Sequence, residues 1–104
     1  MELLEAMALR HSVRSYTGQP LSPAMAAELR ACMELCGRDG GVRIRLIEDE
    51  PQAFSSALAR WGGFSGVRDY MALTVPEGTK PGEQVGYWGE KLVLRAQQLG
   101  LNTC

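Results

Sequence analysis

Arg10-His11-Ser12-Val13-Arg14-Ser15-Tyr16 sets two guanidiniums, an imidazole and a hydroxyl within five residues, where a short amphipathic helix gives out. Arginine offers planar, permanently charged donor forks suited to phosphate oxygens, and serine adds a short hydroxyl donor. If the backbone leaves the helix near His11, then Arg10, Ser12 and Arg14 can converge on one anion. If the helix continues, Arg10 and Arg14 sit four apart on a solvated face. On residue chemistry alone the solvated face is the favoured reading, because most charged clusters are surface.

Working outward, residues 2–10 read as a helix with Leu3, Leu4, Met7 and Ala8 on one apolar face. Downstream, Thr17-Gly18-Gln19-Pro20 breaks the chain, and Ser22-Pro23 restarts a helix with an N-cap serine and proline in the first turn. Met25, Leu29, Cys32 and Cys36 mark its buried stripe, and Gly37 is the expected stop. Val42 to Ile47 alternates apolar and basic residues, the period of a half-buried strand with Arg43 and Arg45 on the solvated face. Asp49-Glu50-Pro51 then opens another helix with Phe54, Leu58 and Trp61 on one side. Trp61 before Gly62-Gly63 fits either a mobile aromatic lid or, preferably, a helix end packing its last aromatic. Asp69 to Val75 is a nearly continuous apolar run, as in a central strand covered on both faces. After a turn-rich loop over residues 76–82, Val85, Trp88, Leu92, Ala96 and Leu99 repeat at helical spacing from about Gln84 to Leu99. Gly86 and Gly89, in its first turns, leave room for another helix or a flat ligand, unless they are accidents of composition.

The length of 104 residues holds one domain, residues 1–104, with a modest core. A net charge of −1 provides no basic field for nucleic acid or for an acidic membrane surface. No apolar run spans a bilayer and no signal-peptide pattern opens the chain, so the expected address is the cytoplasm. Cys32 and Cys36 lie four apart, but no second Cys or His pair follows at zinc spacing, so no metal site is expected and core thiols are the better reading. There is no dinucleotide or phosphate-loop glycine motif, no His-Glu-x-x-His, and no nucleophile elbow beside the lone His11.

The opening helix ending in Arg10 to Tyr16, followed by the Leu21-Ser22-Pro23 helix start, resembles the start of the FMN-dependent nitroreductase family. Gly86-Tyr87-Trp88 begins a helix that closes in Leu99-Gly100-Leu101-Asn102-Thr103-Cys104, similar to the family's central helix and the Leu-Gly-Leu-Gly-Thr-Cys turn after it. The two matches bracket nearly the whole chain in the right order. Where many members carry an Asn/Gln-Pro-Trp-like stretch, this chain has Arg38-Asp39-Gly40-Gly41-Val42. The resemblance implies an α+β, three-layer sandwich of which these residues form the N-terminal half, helices plus about two strands. It implies an FMN-dependent NAD(P)H oxidoreductase acting on a nitro compound, quinone or related small acceptor. In that reading the protein supplies no catalytic acid, base or nucleophile; Arg10, Ser12 and Arg14 hold the FMN phosphate and His11 lines the same turn. Two subunits share the flavin sites in a homodimer. The alternative is a non-catalytic truncated or degenerate module of the same fold that dimerises and binds an anionic ligand or nothing.

Overall fold

Ser22 and Pro23 start the helix on which the sheet rests. The computed structural model describes residues 1–56, 62–78 and 80–104. Its elements in order are α1 (Leu3–Leu9), α2 (Pro23–Gly40), β1 (Arg43–Ile47), a 3-10 turn (Pro51–Phe54), β2 (Tyr70–Thr74) and α3 (Pro81–Gln98). The Ser22 hydroxyl accepts the Met25 N–H at 3.1 Å, which satisfies one of the amides that every helix start leaves unpaired.

Helices α2 and α3 run antiparallel. Glu28 meets Arg95, Cys36 lies against the Trp88 carbonyl, and the Gln84 side chain donates to the Gly40 carbonyl. Met33, Cys36 and Leu92 form the buried centre, with Cys32, Ile44, Leu46, Met71, Leu73 and Trp88 packed around it. Removing Leu92, at 1% exposure, from water contributes about 1.5–3 kcal/mol. Gly40 decides how closely the helices approach: a Cβ there would lie 2.4 Å from the Trp88 ring.

The strands pair antiparallel, with Ile44 opposite Leu73 and Leu46 opposite Met71 on the face toward the helices. By the two-residue period of the pleat, Arg43, Arg45, Ala72, Thr74, Ile47 and Tyr70 share the other face. Arg43 and Arg45 are exposed, as their alternation predicts. The Phe54 ring stacks edge-on to Tyr70 (5.4 Å between centroids) and touches Phe64 (5.6 Å), covering that end of the outer face. The architecture is α+β, with three helices and a two-stranded sheet among the described residues, compatible with part of a nitroreductase-like fold.

Several expectations change. The face of α1 formed by Leu3, Leu4 and Met7 is exposed, and Ala6 is the residue buried instead; among the described residues the main packing of α1 is against α3. Helix α2 continues past Gly37 to Gly40 and stops at Gly41, whose left-handed conformation (φ 68°) ends it. Cys36 is buried as expected, but Cys32 is only half-buried. Strand β2 is half-buried rather than covered on both faces, since among the described residues it pairs with β1 alone and helices cover one side. The segment after Pro51 is a 3-10 turn as far as Phe54; Leu58 and Trp61, and with Trp61 the lid reading, lie outside the described residues. Helix α3 starts at Pro81, three residues early, because proline suits the first turn of a helix. Of its two early glycines, Gly89 approaches Leu73 and Gly86 faces open space.

Candidate functional site

Helix α1 ends at Arg10, whose backbone is already extended (φ −63°, ψ 133°) although its N–H still donates to the Ala6 carbonyl at 2.9 Å. The backbone therefore leaves the helix just before His11. Beyond that point the chain is held open from two sides. Ser12 bridges Thr103 in parallel, and the Val13 N–H donates to the Thr103 carbonyl at 2.8 Å. Ser15 bridges Ser65: the Tyr16 N–H donates to the Ser65 carbonyl at 2.9 Å, and the Ser65 N–H to the Arg14 carbonyl at 3.0 Å. Gly66 is required for this second pairing, because it has φ +73° and a Cβ there would fall 2.1 Å from the Tyr16 carbonyl oxygen. The Tyr16 hydroxyl donates back to the Val13 carbonyl and closes the turn.

The four side chains are not equally gathered. Arg10 Nη2 lies 3.4 Å from Ser12 Oγ, so these two meet. Arg14 reaches across to the Gly62 carbonyl at 3.3 Å. His11 turns back toward the Leu9 carbonyl, 3.1 Å from Nδ1, a hydrogen bond that requires the proton on that nitrogen. His11, Ser12 and Arg14 are exposed, and Arg10 is half-buried.

Arg30, Arg38, Arg68 and Arg95 each have a carboxylate partner, whereas among the described residues Arg10 and Arg14 have none, and neither do Arg43 and Arg45 on β1. Two buried side-chain atoms at this turn also lack any hydrogen-bond partner: Arg10 Nε and Thr103 Oγ1. Burial raises the Tyr16 phenol above its ordinary pKa; the Cys104 thiolate adds to this and the Arg10 charge opposes it. Two arginines without counter-ions, a hydroxyl and an orphaned guanidinium N–H make a donor set that fits a phosphate dianion. Two grooves, of about 560 and 310 Å³, lie elsewhere, one beside Lys80, Glu83, Gln84 and Tyr87 and the other beside Phe54 and Phe64. Neither has a wall from Arg10, His11, Ser12 or Arg14. Among the described residues no group of three or more His, Cys, Asp or Glu is placed to hold a metal ion, and no helix is long and apolar enough to cross a membrane.

Sequence reasoning did not foresee Thr103 beside Ser12, nor Gly62 and Ser65 beside Arg14. The Leu99–Cys104 turn stood out in the sequence, but nothing local showed that it pairs with the basic stretch.

These features describe a small α+β chain whose first helix opens into a basic extended turn clamped between its last residues and the loop before β2. The chain belongs to the nitroreductase family: the sequence profile of the family described as "Putative TM nitroreductase" matches residues 2–104. Its function is accordingly of the oxidoreductase type. Searches of curated proteins and of solved structures returned no match.

Proposed function

We propose that the chain acts as an FMN-dependent NAD(P)H oxidoreductase, or as the N-terminal part of one, with a nitro compound, quinone or related small molecule as electron acceptor. The observation that carries this is the exit from α1 at Arg10, which sets Arg10 against Ser12, with no carboxylate among the described residues paired to either arginine of the turn. Membership of the nitroreductase family supports it. When bound, FMN supplies the hydride and electron chemistry.

The protein's part is binding. Arg10 and Arg14 supply charge and donor forks to the phosphate, Ser12 a short hydroxyl donor, and His11 flanks the turn. Releasing Arg14 from the Gly62 carbonyl costs little, since a neutral acceptor at 3.3 Å is a weak partner beside a phosphate. The uncovered face of α1, with Leu3, Leu4, Met7 and Leu9 between 49% and 78% exposed, supports a homodimer with shared flavin sites.

Absorbance tests the proposal directly. Protein purified from its producing cell should carry flavin bands that bleach with NADH or NADPH and return with a quinone. Colourless protein that takes up no added FMN would leave the non-catalytic module as the reading.

A further inference from the structure

The two orphaned buried polar atoms fall on the two sides of one backbone joint. Arg10 Nε stands just before the Ser12–Thr103 bridge and Thr103 Oγ1 stands on it. Buried side-chain oxygens and nitrogens are almost always hydrogen-bonded, because losing water without a replacement partner is costly. Two exceptions at one joint point to a partner that arrives from outside the chain. We propose that Thr103 is a further phosphate-binding residue, its hydroxyl donating to the anion that Arg10 and Ser12 hold.

The inference rests on the phosphate reading of the turn and adds a residue from the far end of the chain. The Thr103 backbone is fixed: its carbonyl accepts the Val13 N–H at 2.8 Å, which keeps Cα beside Ser12. The side chain retains its own freedom. Rotation about Cα–Cβ among staggered wells exchanges Oγ1 with the methyl, and Thr103 is only half-buried as a residue. In the proposed complex such a rotation carries the hydroxyl from its buried, unpaired position to the phosphate without moving the backbone. Arg10 holds its guanidinium on the same joint, with Nη2 already at Ser12 Oγ.

This arrangement carries a signature that a merely structural threonine lacks. Without a ligand the unpaired hydroxyl is a liability, so replacing it with an isosteric methyl should stabilise the flavin-free protein. With FMN the same replacement removes a hydrogen bond to a charged group. Stability and affinity therefore move in opposite directions.

The experiment compares wild type with Thr103→Val and Thr103→Ser in the full chain, measuring thermal midpoints without flavin and fluorescence titrations with FMN and riboflavin. Thr103→Val should raise the flavin-free midpoint by about 4 °C and weaken FMN about tenfold, leaving riboflavin unchanged. Thr103→Ser should keep FMN within about twofold, because it keeps the donor. If Thr103→Val fails to fold, Thr103→Ala removes the hydroxyl in its place. Unchanged FMN affinity in the hydroxyl-less variant, or equal losses for both flavins, overturns the proposal. Ser12→Ala, titrated alongside, separates the two levels. Selective FMN loss in Ser12→Ala but not in Thr103→Val sinks the Thr103 assignment and leaves the cradle standing; selective loss in neither sinks both.

Discussion

Helices α1 and α2 each carry an apolar stripe at three-to-four-residue spacing, yet Leu29 on α2 is 3% exposed and Leu4 on α1 is 78% exposed. The difference lies in what each helix has to lie against. Helix α2 packs on β1 and on the flank of α3, so its stripe closes the core over Ile44 and Leu46. Helix α1 packs against α3 and buries Ala6, and among the described residues it does not pack on the sheet as α2 does. Periodicity thus tells which side of a helix is apolar, while the covering surface depends on elements remote in sequence. The basic turn directly follows the uncovered helix, so an exposed apolar face and two arginines with no carboxylate partner among the described residues are neighbours in the chain.

The largest expected effect sharpens that contrast. Leu92→Ala should cost about 2–5 kcal/mol in denaturant unfolding, because Leu92 is sealed between the helices and the sheet and truncation leaves a cavity. Leu4→Ser should change stability by no more than about 0.5 kcal/mol, as for other exposed positions. Its effect belongs in self-association, where sedimentation should show weaker dimers than wild type. A large stability loss from Leu4→Ser with no change in association would mean that α1 is part of the single-chain core.

Next in size is Gly66→Ala. An alanine at φ +73° costs about 1–2 kcal/mol, and its Cβ would also strike the Tyr16 carbonyl. Amide exchange should then accelerate at Tyr16 and Ser65 before it does in α2. Uniform acceleration throughout the chain would show that the turn and the core unfold as one unit.

A pH effect tests the core from another side. Burial, with Cys32 adding its charge and a hydrogen bond, lifts the Cys36 thiol from an ordinary 9.0 to about 11. A group protonated more readily in the folded state contributes stability that is complete below its unfolded pKa and lost as pH rises. The loss should therefore run from about pH 9 to about pH 11. In thiol labelling near pH 8, exposed Cys104 should react first, half-buried Cys32 more slowly and Cys36 last. Rapid labelling of Cys36 in the native protein would contradict its place at the core.

Local features of the fold were readable from the sequence where the physics is local. Ser22-Pro23 caps α2 as its chemistry requires, and the alternation of Arg43 and Arg45 with Ile44 and Leu46 set the faces of β1. The end of α2 was not readable, because Gly37 fits a helix interior as built and Gly41 is the residue that needs the left-handed conformation. The basic stretch was readable as donors, yet its geometry depends on Thr103 and Ser65, which no local pattern links to it. Half of the ambiguity in that stretch, helix or extended, is resolved by the backbone of Arg10.

The phosphate cradle itself is tested most directly by the ratio of FMN to riboflavin affinity in Arg14→Ala, since riboflavin has the same ring and no phosphate. Losing a charge-assisted hydrogen bond costs about 1.5–3 kcal/mol, so FMN should weaken by about one to two decades while riboflavin holds constant. Ser12→Ala should shift affinity in the same direction with a smaller loss, as a neutral hydroxyl contributes less than a guanidinium. Equal losses for both flavins, or none for either, would return Arg10 and Arg14 to a solvated surface and contradict the cradle.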